Sequence, residues 1–171
     1  MTIRYRTVSA LLVILALAVM PQFAGAVKQA YAKLQNANGD AVGMATLHRT
    51  SHGTLLHVKL DDLPPGAHAF HVHSIGKCEP PFKSAGGHYN PKGHNHGILG
   101  EDGMHAGDMP NIHVPESGSL EIEILNTQLV LDTTLFDEDG AAIVIHEGAD
   151  DYKSDPAGAA GPRIACGILH K

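Results

Sequence analysis

Six histidines and one aspartate, His71, His73, His88, His96, His105, Asp108 and His146, follow one another in an order and spacing that can hold two metal ions side by side. His71-Val72-His73 closes a segment read as a strand. Residues i and i+2 of a strand share a face, so both imidazoles can reach one ion while Phe70 and Val72 point the other way. Such a pair alone fits exposed or core histidines equally well, and the spacing downstream is what weighs against that. His88, His96, His105 and Asp108 fall at intervals of 8, 9 and 3. Three imidazoles and one carboxylate make a closed tetrahedral set, which suits structural zinc and leaves no position for an activated water. That argues against a zinc hydrolase. His146 ends the apolar run Ala141 to Ile145, again a strand end. Imidazoles suit both oxidation states of copper. The pattern points to redox chemistry at copper beside a structural zinc.

The elements that must position these side chains read as β. Ala30, Ala32 and Leu34 alternate with polar residues, as do Leu56, Val58 and Leu60, and Leu120, Ile122 and Ile124. Period two marks strands with one buried face. Asn36 to Asp40, Ser51 to Gly53 and Pro64 to Gly66 are turn signals between them. No long stretch has a helical period, so the expectation is an all-β sandwich or barrel. Two irregular segments, about 74–110 and 148–162, break the rhythm. Loops this long are usually functional. The first contains most of the ligand candidates, so metal can supply the order that a core does not.

Residues 1–26 stand apart. Arg4 and Arg6 precede an apolar run from Ala10 to Met20, and Ala24-Gly25-Ala26 offers small residues for cleavage. This reads as a secretory signal peptide. The run is shorter than the ~20 residues a membrane span needs. Residues 27–171 then form one domain. Both charges of the leader are basic, which leaves 10 Lys and Arg against 18 Asp and Glu, a net charge of −8 where the whole chain has −6. An acidic surface excludes nucleic acid as a partner, and an anionic substrate needs a local positive patch. In an exported chain two cysteines, Cys78 and Cys166, are most simply a disulfide. A thiolate metal site is the weaker alternative, because histidines already supply enough ligands.

Gly87-His88-Tyr89-Asn90-Pro91, His105-Ala106-Gly107-Asp108, Val144-Ile145-His146-Glu147 and Gly161 to Gly167 (GPRIACG) resemble the signatures of copper/zinc superoxide dismutases. With the leader and the short His73-to-Cys78 spacing, the chain is similar to the bacterial periplasmic members from about Leu63 to Gly167. The resemblance implies an eight-stranded Greek-key β-barrel, an immunoglobulin-like sandwich, with two long functional loops. It implies copper bound by His71, His73, His88 and His146, and zinc bound by His88, His96, His105 and Asp108, with His88 bridging. Asp150 corresponds to the carboxylate that links ligand histidines of the two sites, Arg163 to the arginine beside the open copper position, and Cys78–Cys166 to the family disulfide. The implied reaction is dismutation of superoxide to dioxygen and hydrogen peroxide, with His88 taking up a proton when its copper side is released. Implied too are a periplasmic location, no stable membrane association, and a monomer or homodimer. The rival is a periplasmic copper/zinc-binding protein of the same fold without turnover, and Arg163 weighs against it because a carrier needs no anion guide.

Three departures stand out. Ala69 replaces the glycine usual before Phe70, which is expected to tighten packing and leave the ligands intact. His94 lies close enough to His96 to compete as a ligand, and His96 is preferred because of Gly97 and the interval to His105. Lysines are sparse near the site: Lys153 in the second loop, with Lys77, Lys83 and Lys92 in the first. His48, His52, His57, His68, His113 and His170 read as surface or structural, His68 most clearly as structural.

Overall fold

The computed structural model describes residues 27–101 and 103–171. The predicted leader, residues 1–26, lies outside the described residues. Among the described residues there are nine strands: β1 Gln29–Asn36, β2 Ala41–Thr50, β3 Gly53–Leu60, β4 Gly66–His68, β5 Phe70–His73, β6 Ile112–Val114, β7 Leu120–Asn126, β8 Ala142–His146 and β9 Arg163–His170. Seven form one curled sheet in the order β5-β8-β9-β1-β2-β3-β7, and β4 with β6 forms a separate two-stranded ribbon. All pairings are antiparallel. The chain crosses from β3 near one edge to β5 at the other, and returns from β7 to β8, so the long connections are Greek-key crossovers. The expected all-β architecture is present, with the strands divided seven and two by their hydrogen bonding.

Alternation explains the sheet. In β1 the buried residues are Ala30, Ala32 and Leu34, and in β3 Thr54, Leu56, Val58 and Leu60. The apolar ones join Phe70, Val72, Ile143, Ile145 and Leu169 in the main core. Each large aliphatic side chain so buried contributes roughly 1.5–3 kcal/mol relative to exposure. β2 breaks the period: a register shift after Leu34 pairs Gln35 with Ala41, leaving Val42 as an extra buried residue before Ala45 and Leu47. A bulge of this kind adds one residue to one strand and disrupts the ladder locally.

β8 is buried along its whole length. Ile143 and Ile145 face the main core, while Ala142 and Val144 pack under Phe82, Ala85 and Cys166 in a second cluster. The first long loop, whose only helical turn is Lys83–Ala85 among the described residues, therefore roofs the outer face of β8 and β9. A disulfide of Cys78 with Cys166 fastens it there.

Candidate metal centre

β5 carries His71 and His73, and Phe70 and Val72 turn into the main core as the period requires. One edge of β5 pairs with β8; the first long loop lies along the other. Val72 N–H donates to Gly107 O at 2.9 Å, Tyr89 N–H to Val72 O at 2.8 Å, Gly107 N–H to Tyr89 O at 2.8 Å and Ser74 N–H to Gly87 O at 3.0 Å. This lacing sets His88 opposite His73 and Asp108 opposite His71. It also explains the glycine in His105-Ala106-Gly107-Asp108, since a Cβ at Gly107 would run into the Val72 carbonyl. His146 arrives from the end of β8, at a register shift that pairs it with Arg163.

Four ring nitrogens are buried without a hydrogen-bond partner: His71 Nδ1, His73 Nε2, His88 Nε2 and His146 Nε2. Buried polar atoms are nearly always satisfied, and these four residues present ligand atoms within 4.8 Å of one another. The opposite nitrogen of each ring is held. His71 Nε2 lies 2.8 Å from Asp150 Oδ2, His73 Nδ1 2.9 Å from Gly86 O, His146 Nδ1 3.2 Å from Gly161 O and His88 Nδ1 2.8 Å from Asp108 Oδ1. A carbonyl or carboxylate can only accept, so His71, His73 and His146 donate outward and turn their lone pairs inward. Burial depresses all three: His71 to about 4 despite its bond to Asp150, His146 to about 3, and His73 well below the ordinary value. They are neutral imidazoles at pH 7, and the donor set fits copper.

Beside them His88, His96, His105 and Asp108 form a second buried group. Asp108 Oδ1 lies 2.8 Å from His88 Nδ1, 3.1 Å from His96 Nδ1 and 3.3 Å from His105 Nδ1, and His105 Nδ1 is 3.4 Å from His88 Nδ1. Ligands 2.0–2.1 Å from a tetrahedral zinc are about 3.3 Å apart, so the spacing fits that ion. Burial alone would raise the Asp108 pKa, but hydrogen bonds from His88, His96 and Gly97 N–H hold it well below the carboxylate range. Burial likewise lowers His96, and its bonds to Asp108 and Asp150 outweigh that, raising it to about 9. Burial lowers His105. His88 belongs to both groups, one nitrogen to each.

Known proteins carry the same pattern. The family profile of copper/zinc superoxide dismutase (SODC) matches residues 41–169. Copper-zinc superoxide dismutase 1 of Aquifex aeolicus is 50% identical over an alignment of 145 residues that covers 81% of this chain and 86% of that protein. The solved superoxide dismutase-like protein of Bacillus subtilis superposes with a TM-score of 0.78 at 37% identity, over 82% of this chain and 97% of the other. The copper/zinc superoxide dismutase of Brucella abortus gives 0.71 at 27% identity, over 83% and 99%. The chain belongs to the copper/zinc superoxide dismutase family. It is an oxidoreductase that dismutates superoxide to dioxygen and hydrogen peroxide, with copper and zinc as cofactors.

In this dismutase Asp150 joins the two ligand groups. Its side chain is fully buried, with Oδ2 on His71 and Oδ1 3.0 Å from His96 Nε2. Burial would raise its pKa, but bonds from His71, His96 and Tyr152 N–H hold it far below the usual range. Gly158, at φ +64°, leaves the space that this carboxylate fills, and a Cβ there would overlap it. Arg163 Nη1 and Nη2 each donate over 2.7 Å, to Phe82 O and Gly86 O. Gly86 O also accepts from His73, so the guanidinium is tied to the backbone that orients a ligand ring. Half burial lowers the Arg163 pKa, with the group still cationic at neutral pH.

Ala69 is fully buried and bonds Gly148 O and His146 N–H through its backbone, so it holds both loop and ligand in place. His96 enters the second ligand group, whereas His94 bonds Asn90 through its backbone and is outside both ligand groups. His68 is structural: Nδ1 reaches His146 O at 2.9 Å and Nε2 reaches Pro64 O at 2.8 Å. Lys77, Lys83, Lys92 and Lys153 are all exposed. Sequence reasoning missed Asn111, whose amide donates to Asp150 O at 2.9 Å and accepts from Asp150 N–H at 2.8 Å. It missed Tyr152, whose hydroxyl accepts the Asn111 N–H at 2.7 Å. An amide and a phenol in loops have no spacing signature, and only Asn111's place three residues after Asp108 hints at a role.

Proposed function

We propose that copper is held by His71, His73, His88 and His146 and zinc by His88, His96, His105 and Asp108, and that superoxide is dismutated at the copper set with His88 and Arg163 as the working side chains. The supporting observation is the convergence of four partnerless buried ring nitrogens beside a second, closed ligand group that shares His88. Bound copper supplies one-electron transfer between its +2 and +1 states, so that one superoxide leaves as dioxygen and a second, with two protons, as hydrogen peroxide. Arg163, fixed by two carbonyls, offers a cationic fork to the anion beside His73 and His146. His88 Nε2, which has no hydrogen-bond partner in the protein, would be a copper ligand and, when not ligating, would be the nitrogen placed to take a proton from solvent and give it to the forming peroxide. His96, His105 and Asp108 keep the other nitrogen of His88 aimed and the first loop folded. The exposed lysines Lys77, Lys83, Lys92 and Lys153 draw the anion toward an otherwise acidic protein.

Residues 1–26 act as an export leader and the mature chain works in the periplasm, a reading supported by their charge and apolar pattern. Among the described residues no helix is long and apolar enough to cross a membrane. Activity after reconstitution with copper and zinc, against zinc alone, tests the assignment. Turnover that depends on copper and disappears in His71→Ala supports it; full loading with both metals without turnover refutes it.

A further inference from the structure

Asn126 is the last residue of β7, only 4% exposed, and paired across the sheet with Thr54. Its amide uses its whole hydrogen-bonding capacity. Nδ2 donates to Ala106 O at 3.0 Å and to Asp108 O at 3.3 Å. Oδ1 accepts from Gln128 N–H at 2.8 Å and from Leu129 N–H at 2.9 Å. A carboxamide has two N–H donors and an oxygen with two lone pairs, and all four are engaged. On the same turn Thr54 Oγ1 donates to Leu129 O at 2.8 Å, so the acceptor side of Asn126 sits on a turn that is itself fastened to β3.

The donor side grips the segment that carries two of the four residues of the closed ligand group. His105 to Asp108 is bonded to β5 through Gly107 O, which accepts from Val72 N–H, and to the first loop through Gly107 N–H, which donates to Tyr89 O. The carbonyls on either side of Gly107 face away from β5 and meet Asn126. The segment is therefore clamped between two parts of the barrel, and the second jaw is one side chain. His71, His73 and His146 hang from β5 and β8, whose pairing does not involve Asn126.

We propose that Asn126 is a positioning residue for zinc: by holding the Ala106 and Asp108 carbonyls it fixes His105 and Asp108 in their ligating geometry and sets the zinc affinity without setting that of copper. The inference rests on the ligand assignment above. Outer hydrogen-bond partners of metal ligands typically change affinity 10–100-fold when removed. Aspartate keeps the acceptor oxygen for Gln128 and Leu129 but presents an oxygen, in place of N–H, to the two carbonyls. Alanine removes both sides.

The test uses the full chain as Asn126→Asp and Asn126→Ala. Zn(II) and Cu(II) affinities are measured separately by competition with a chromophoric chelator, and Co(II) in the zinc position reports ligand geometry through its d–d bands. The expected result is zinc binding 10–100-fold weaker in both variants, altered Co(II) bands, and Cu(II) binding within threefold of native. Thr54→Val loosens the same turn without touching Ala106 or Asp108, and should leave zinc binding within threefold. Zinc affinity unchanged in Asn126→Asp overturns the proposal. So does equal weakening of both metals, or a zinc loss in Thr54→Val as large as that in Asn126→Ala, because either outcome marks a general structural role. If His105→Ala also leaves zinc affinity unchanged, the ligand assignment itself fails, a result separate from any on Asn126.

Discussion

In Asp150→Asn two buried imidazoles, His71 and His96, are left to share a side chain with a single acceptor oxygen. The native carboxylate accepts from His71 Nε2 at 2.8 Å through one oxygen and from His96 Nε2 at 3.0 Å through the other, and Tyr152 N–H adds a third bond. Both rings thereby keep their protons on Nε2 and their lone pairs on Nδ1, where the metals need them. An amide has one acceptor oxygen, so one imidazole must lose its partner or move its proton to Nδ1 and cease to ligate. A buried donor left unsatisfied costs roughly 1–3 kcal/mol, in line with the 10–100-fold affinity losses seen when such partners are removed. The backbone of His71 is held by the β5–β8 ladder, whereas His96 lies on an irregular loop tied at its N–H to Asp155. His96 has less to fall back on. Zinc affinity should fall 10–100-fold and copper affinity by less, as measured by chelator competition for each ion. Zinc binding within threefold of native, or a copper loss larger than the zinc loss, would refute this account of Asp150.

Arg163→Ile should lower turnover at least tenfold while both metals stay bound, since Arg163 contacts carbonyls and none of the ligand atoms; equal losses of activity and metal content would remove its guiding role. Replacing Cys78 and Cys166 together by alanine opens a closure of 88 residues. The chain-entropy relation gives a loss of about 4–5 kcal/mol, to be read from denaturant unfolding of the metal-free protein, and a loss under about 1 kcal/mol would contradict it. Without metal, stability should depend on pH with a definite sign. His71 and His146 titrate near 4 and 3 when folded and near 6.5 when unfolded, so the unfolded chain binds more protons and stability falls as pH drops through 6.5 toward 3. His96, raised to about 9, works the other way: its contribution is complete below 6.5 and fades as pH rises through 9. A metal-free protein equally stable at pH 7 and pH 4.5 would show that the buried imidazoles are not neutral.

Strands whose one face is buried were legible, because Ala30, Ala32 and Leu34, and Leu56, Val58 and Leu60, keep strict alternation. β2 was not, because its bulge opposite Leu34 and Gln35 shifts the phase between Val42 and Ala45. β9 was hidden for another reason: Ala165, Cys166 and Gly167 are buried in succession, the first in the main core and the second under the loop roof, so no period survives. The candidate ligands could be picked out by residue type and spacing, since metal binding demands a few particular side chains, and the fold gathers them into two groups. The residues that hold them could not. Asn111 and Asn126 act through side-chain amides bonded to the backbone of distant segments, and nothing near them in sequence announces a partner 18 to 39 residues away.

On the proposed assignment one imidazole, His88, stands between two different ions in two neighbouring ligand sets. Anomalous diffraction at the copper and zinc edges, on crystals of protein loaded with both metals, tests it directly. A copper peak is expected among His71, His73, His88 and His146 and a zinc peak among His88, His96, His105 and Asp108, one on each side of the His88 ring. A single peak, or either ion held without His88, would contradict it.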